Sequence, residues 1–207
     1  MSGRVILFDL GGVLFDFVPA RRVTAIAAAC RLEDEDKVRA FLAGPLSGDL
    51  DLGLASLGDL AAALSRLAEG RIGEDEAADL WLSVFQPVGD LWRLAAGLAQ
   101  ENEVGVFSDN PPFVRRKFPE EIGFSYVLLS SELEAIKPSR AAFKAAERAV
   151  GAPGERIVFI DDAFGNVMAA RQHGWTALHY RGMERLMADL RREKLVGETL
   201  PHVRGAP

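Results

Sequence analysis

Five short apolar runs set the tightest limit on how this chain folds: Val5–Phe8, Val104–Phe107, Tyr126–Leu129, Ile157–Ile160 and, more weakly, Trp175–Leu178. None alternates between apolar and polar as a strand with one wet face does, so each reads as a strand covered on both sides, the habit of parallel sheets. Helical windows separate them. Residues 139–150 put Phe143, Ala146 and Val150 on one face and stop at Gly151, and residues 164–173 put Val167 with Ala170 and stop at Gly174. A glycine just past a periodic run is a helix C-terminal signal. Strand and helix in repeated alternation predict an α/β fold, a doubly wound and mainly parallel sheet.

Residues 17 to about 100 break this rhythm. No run there reads as a strand, whereas residues 59–69 place Leu60, Ala63, Leu64 and Leu67 on one face before Gly70. Residues 74–85 repeat the pattern with Ala77, Leu80, Trp81 and Val84. Gly44-Pro45 and Gly48 interrupt the helices, which predicts a loop over 44–54, and Leu91–Ala99 reads as a crossover helix returning to the sheet. A length of 207 residues is more than one average domain and less than two. The expectation is a Rossmann-like core, residues 1–16 and 91–207, with a helical cap subdomain inserted at 17–90. The tail from Gly197 lacks periodicity and is expected to fray.

Charge narrows the partners. With 24 Lys and Arg against 30 Asp and Glu the net charge is −6, so no positive field gathers nucleic-acid phosphates or anionic lipid, and neither is expected as a partner. The single cysteine, Cys30, permits no internal disulfide, and no run approaches the roughly 18 apolar residues of a membrane span. Both point to a soluble, cytoplasmic protein.

In parallel sheets, ligands bind beyond the carboxyl ends of the strands. The residues there are Asp9, Ser108-Asp109-Asn110 and Asp161-Asp162, with Lys137 just before Pro138 and a helix start. Ser108 to Lys137 spans 29 residues and Lys137 to Asp162 spans 25, each near one strand–helix unit of roughly 30. Asp9 to Ser108 spans 99, and the excess is the helical insertion. Clustered carboxylates repel unless a cation lies among them, and an all-oxygen donor set suits Mg²⁺. An aspartate is ionised at neutral pH and needs no base to act as a nucleophile. Its obstacle is repulsion from a dianionic phosphate, which Mg²⁺, Lys137 and the Ser108 hydroxyl would offset.

The segment Val5-Ile6-Leu7-Phe8-Asp9-Leu10-Gly11-Gly12-Val13-Leu14 resembles the first motif of the haloacid dehalogenase-like hydrolase superfamily. Val106-Phe107-Ser108 resembles its second motif, Lys137-Pro138 its third, and Phe159-Ile160-Asp161-Asp162-Ala163-Phe164-Gly165-Asn166 its fourth. Within it, the chain is similar to the helical-cap branch, which includes alpha-D-glucose-1-phosphate phosphatases and the phosphatase domain of soluble epoxide hydrolases. The resemblance implies a Mg²⁺-dependent phosphatase acting on a small phosphate ester, such as a sugar phosphate, through an aspartyl phosphate. A monomer or weak dimer is expected. The resemblance makes Asp9 the nucleophile and a metal ligand, with Asp162 and the Gly11 carbonyl completing the metal site. Ser108, Asp109, Asn110 and Lys137 would form the phosphate-binding set, with Ser108 and Lys137 on the phosphoryl oxygens, and Asp161 and Asn166 would orient it.

One departure stands out. Most phosphatases of this superfamily carry a second aspartate where this chain has Gly11; it protonates the leaving oxygen and later activates water. Such an acid contributes roughly 10²–10⁴-fold in rate. Either another group substitutes, or the ester has a leaving group that needs little help, as an anomeric sugar phosphate does. Asp16 is one substitute to consider, although an exposed loop carboxylate is the simpler reading of it. With no substitute, the aspartyl phosphate should accumulate. Two rivals remain: a phosphate-binding regulatory module that has lost turnover, and a dehalogenase, whose kind also lacks the second aspartate but works without metal and without an acidic pair such as Asp161-Asp162. A phosphomutase would need the acid–base group that Gly11 removes.

Other polar features read as structural. Cys30 belongs in a helix core, and Arg115-Arg116-Lys117 forms a solvated face. His173 interacts with helix-end carbonyls, His179 and His202 show no ligand spacing, and Glu33-Asp34-Glu35-Asp36 starts a helix.

Overall fold

The computed structural model describes residues 3–119 and 122–197. The chain enters as β1 (Val5–Phe8), turns, and forms the short β2 (Phe15–Phe17). Five helices follow: α1 (Pro19–Ala29), α2 (Glu35–Leu42), α3 (Pro45–Asp51), α4 (Leu57–Leu67) and α5 (Glu74–Leu82). The return runs through β3 (Phe85–Pro87), α6 (Gly89–Leu98) and β4 (Glu103–Ser108), and then β5 (Tyr126–Leu129) and α7 (Ser130–Leu133). It closes with α8 (Arg140–Val150), β6 (Ile157–Asp161), α9 (Phe164–Gln172), β7 (Thr176–His179) and α10 (Met183–Arg192).

The five apolar runs make one parallel sheet in the order β5-β4-β1-β6-β7. The path leaves β1 for one edge and then crosses to the other side of it. The C-terminal end of β1 therefore lies at the switch point where open α/β sheets bind ligands. Alternate residues of β1 feed two separate cores. Ile6 and Phe8 face one, while Val5 and Leu7 face the other with Phe107, Phe143, Phe159 and Trp175. The first core runs on through Phe15, Phe85 and Trp92 to Ile26, Leu60, Leu64 and Trp81 of the insertion, so the helical cap and one face of the sheet share a continuous apolar interior.

Side-chain caps start three of the helices. Ser56 and Asp59 make a capping box at the start of α4, Asp34 caps α2 with Glu35 and Asp36 in its first turn, and Ser139 caps α8. Three expectations need correction. Of the loop expected over 44–54, only residues 52–54 are a turn: Pro45 sits in the first turn of α3, where its missing N–H costs nothing, so Gly44-Pro45 starts a helix instead of breaking one. Residues 17–100 do contain strand, because β2 and β3 pair antiparallel with Phe15 opposite Pro87 and Phe17 opposite Phe85. For the same reason the helix expected over 74–85 stops at Leu82, and Phe85 joins the ribbon. Residues 198–207, with His202 and most of the tail expected to fray, lie outside the described residues. No helix among the described residues is long and apolar enough to cross a membrane.

Candidate active site

β4 and β6 flank β1, and strands in a sheet lie about 4.8 Å apart, so the residues at these three strand ends meet. The Asp9 N–H extends the ladder by donating to the Ile160 carbonyl (2.9 Å). The Ser108 hydroxyl donates to Asp9 Oδ1 at 2.7 Å and accepts from Asn110 Nδ2 at 3.1 Å. Lys137 Nζ donates to the same Asp9 oxygen (2.8 Å), to Asp161 Oδ2 (3.0 Å) and to the Phe107 carbonyl (3.1 Å). Asp109 Oδ1 accepts from the Lys137 N–H (3.1 Å), which fixes the backbone that carries this lysine. Asp161 is fully buried: Oδ1 accepts from the Ala163 N–H (2.7 Å), and Oδ2 also accepts from Asn166 Nδ2 (3.0 Å).

Burial alone would push the Lys137 ammonium toward neutrality, but Asp9, Asp161 and Asp109 outweigh it and hold the group well above its ordinary value, fully charged. Asp9 is raised by burial against the pull of Lys137, with Asp161 adding to the rise. Burial raises Asp109 to about 6 despite Lys137, and it raises Asp162, where Asp9 and Asp161 repel further charge. This cluster holds more negative charge than one ammonium neutralises.

The donor set fits a hard divalent cation. Carboxylate oxygens of Asp9, Asp161 and Asp162 lie within 4.8 Å of one another. Both Asp161 oxygens are committed, whereas Asp9 Oδ2 and the exposed Asp162 carboxylate receive no side-chain hydrogen bond from the described residues. The Gly11 carbonyl takes part in none of the hydrogen bonds of the turn after β1. Gly12 has φ +78°, and a Cβ there would stand 2.2 Å from Asp162 Oδ2, so the bare backbone leaves the space that the carboxylate fills. Free carboxylate and carbonyl oxygens in this number are what Mg²⁺ takes beside water and phosphate.

A cavity of about 290 Å³ opens above the cluster, with Asp9, Gly11, Gly12, Ser108, Asp109, Asn110, Lys137, Asp162 and Asn166 in its wall and Asp161 beneath. The insertion supplies the opposite wall: Phe17, Arg22, Ser47, Asp51, Trp81 and Phe85. Sequence reasoning missed all six as site residues, because each reaches the cavity only once the insertion has folded over the sheet. The one available signal was Gly44-Pro45 read as a helix start. The Arg22 guanidinium lies 4.2 Å from the Trp81 ring centre, and its Nε donates to the Trp81 carbonyl (2.7 Å). Burial lowers it to about 10 against the pull of Asp51. Burial likewise raises Asp51 to about 7, with Asp109 adding to the rise and Arg22 opposing it. A wider depression of about 730 Å³ along α8 holds none of these residues.

Asp16 is exposed on β2 and is not part of the cavity wall. A Cβ at Gly11 would lie 3.4 Å from Phe17 and 3.6 Å from Phe85, ordinary contact distances, so the two aromatic rings border this position without filling it. Cys30 is buried with Sγ 3.9 Å from the Leu64 carbonyl. The His173 N–H caps α9, and its ring meets Glu147 at 3.1 Å. In the basic run, Arg115 pairs with Glu132 and Arg116 with Asp75. His179, for which sequence offered no role, places Nε2 2.9 Å from the Asp162 carbonyl and braces that backbone.

Similar architecture occurs in a HAD family enzyme of Bacteroides thetaiotaomicron, with a TM-score of 0.77 at 19% identity over 91% of this chain and 99% of that one. A predicted HAD-like family hydrolase of Porphyromonas gingivalis gives 0.76 at 22% identity over 94% and 98%. The L-2-haloacid dehalogenase of Xanthobacter autotrophicus gives 0.58 at 16% over 95% and 85%. At these identities the likeness establishes the fold alone. No curated protein matches the sequence. Residues 4–174, which span every strand end described above except that of β7, match the family model described as haloacid dehalogenase-like hydrolase, and the chain belongs to that family.

Proposed function

We propose that the protein is a Mg²⁺-dependent phosphatase of a small phosphorylated metabolite, a sugar phosphate by preference, with residues 17–90 as the cap that selects it. The observation that carries this reading is the double grip on Asp9. Ser108 Oγ and Lys137 Nζ hold one carboxylate oxygen at 2.7 and 2.8 Å, while the other oxygen stays free beside Asp162. The Asp9 carboxylate attacks phosphorus in line, forming the aspartyl phosphate as the bond to the ester oxygen breaks. Ser108 and Lys137 pass to the non-bridging oxygens, with Asn110 orienting the hydroxyl and Asp109 holding the lysine backbone. Asp161, fixed by Asn166, aims the ammonium.

Asp9, Asp162 and the Gly11 carbonyl would hold Mg²⁺, which supplies charge neutralisation between carboxylates and phosphate. Support for that choice comes from the Bacteroides enzyme, whose structure has been solved with magnesium and inorganic phosphate. Dehalogenase chemistry would leave the free Asp162 carboxylate without a task. Phosphate release from p-nitrophenyl phosphate and a panel of sugar phosphates, with and without Mg²⁺, tests the reading. Asp9→Asn should reduce the rate to background, a loss of at least about 10⁴-fold. Release that survives this substitution, or that ignores chelation, rules the reading out.

A further inference from the structure

We propose that Asp51, on the cap, is the proton donor and acceptor that Gly11 cannot supply. The inference rests on the phosphatase reading and deepens it. In-line attack from Asp9 drives the leaving oxygen away from the strand ends, toward the wall built by the cap. Four carboxylates line the cavity: Asp9, Asp51, Asp109 and Asp162. Asp9 is the nucleophile, Asp162 faces the cation position, and Asp109 is bound to the backbone of Lys137. Asp51 alone comes from the cap side.

Its position is fixed by the core. The Asp51 carbonyl accepts from Ser130 Oγ at 2.5 Å, and Ser131 Oγ donates to the Asn110 carbonyl at 2.8 Å. The end of α3 is thereby fastened to α7, which in turn holds the loop that follows Ser108. Gly53 seals the contact, since its φ of +73° lets the backbone pass where a Cβ would lie 2.3 Å from the Ser131 carbonyl oxygen.

The charged groups that act on the Asp51 carboxyl are Arg22 from α1 and Asp109 from the loop after β4. Burial and Asp109 outweigh Arg22 and raise it to about 7, so the acid is held protonated below neutrality and ionised above it. Such a group donates and accepts with equal ease near pH 7. In the first step the phosphorus–oxygen bond breaks, its electron pair stays on the leaving oxygen, and that oxygen takes the Asp51 proton. In the second, water attacks phosphorus and passes its proton to the Asp51 carboxylate, while the Asp9–phosphorus bond breaks to return the Asp9 carboxylate and release phosphate.

The test compares a primary alkyl phosphate, whose leaving oxygen needs a proton, with p-nitrophenyl phosphate, whose leaving group does not. Asp51→Asn should lower kcat/KM on the alkyl ester about 100-fold or more and on the aryl ester by less than about 3-fold. The wild-type fall in alkyl-ester kcat/KM above pH 7 should vanish in this variant, and Asp51→Glu should recover part of the loss. In metal-free protein the ¹³C carboxyl resonance of Asp51, assigned by its absence in Asp51→Asn, should titrate near 7. Equal losses on both esters, no loss on either, or a midpoint near that of an ordinary aspartate overturns the proposal. Mg²⁺-dependent activity that Asp9→Asn abolishes and Asp51→Asn ignores overturns it while leaving the phosphatase reading intact. No activity in the wild type removes both.

Discussion

Gly12 and Asp162 compete for one space, and glycine settles it. With φ at +78° an L side chain is strained, and a Cβ would sit 2.2 Å from Asp162 Oδ2 and 2.5 Å from its Cγ, well inside van der Waals contact. Gly12→Ala should therefore swing the Asp162 carboxylate out of the acidic cluster. Disturbing a group that orients a metal ligand typically costs 10–100-fold in affinity, so titration calorimetry should show Mg²⁺ binding weakened by about that factor. The strained backbone should also remove about 1–2 kcal/mol of folding stability in urea titrations. Gly11 is under no such constraint, because a Cβ there meets rings at ordinary contact distance. Two adjacent glycines thus have different reasons, and only the contact partner, absent from sequence, tells them apart.

At the scale of elements, α3 connects the cap to α7. Gly48 lies inside this helix with nothing within 4 Å of its would-be Cβ, whereas Gly53 beyond its end abuts the Ser131 backbone. Gly48→Ala should stabilise the protein by about 0.5–1 kcal/mol through helix propensity. Gly53→Ala should cost about 1–3 kcal/mol and lower turnover, because the end of α3 lifts from α7. Urea denaturation of the two variants beside wild type checks both signs, and a stable Gly53→Ala protein with full turnover would count against α3 as the positioning element. The sheet was legible because its strands are buried on both faces and leave unmistakable apolar runs, each with its polar residue at the end. Asp9, Ser108 and the Asp161-Asp162 pair could be found that way, and Lys137 by its place before Pro138 and a helix start, one strand–helix unit after Ser108. β2 and β3 could not, since three residues carry no period and their pairing joins positions 68 to 72 residues apart. Arg22, Asp51 and Trp81 were invisible for a related reason: their meeting in one cavity is a product of the cap docking on the sheet.

Across the whole molecule, core and cap are not separate in their packing. The chain enters and leaves the cap through β2 and β3, where Phe15 and Phe85 pack at 5.3 Å and Phe15 meets Trp92 at 5.1 Å. These rings belong to the same apolar cluster as Ile6 and Phe8 on one side and Leu60, Leu64 and Trp81 on the other. Stripping the cap away would expose that interior, so cap and core should unfold as one unit. The far face of the sheet has its own core, where Phe143 packs edge-on to Phe107 at 5.6 Å and to Trp175 at 5.3 Å. It reaches the cap through the sheet and through α7, whose Leu133 packs on this core and whose Ser130 bonds the Asp51 carbonyl. Three tryptophans report on the three regions: Trp81 in the cap, Trp92 at the junction and Trp175 in the far core. Phe143→Ala, which empties a fully buried site, should cost about 3–5 kcal/mol. Followed by fluorescence in variants that keep Trp81 alone or Trp175 alone, its urea midpoints should fall together, although Phe143 belongs to a different core from Trp81. A cap signal that outlasts the far-core signal would make the cap an independent folding unit, and Asp51 would then depend on a docking equilibrium instead of a fixed wall.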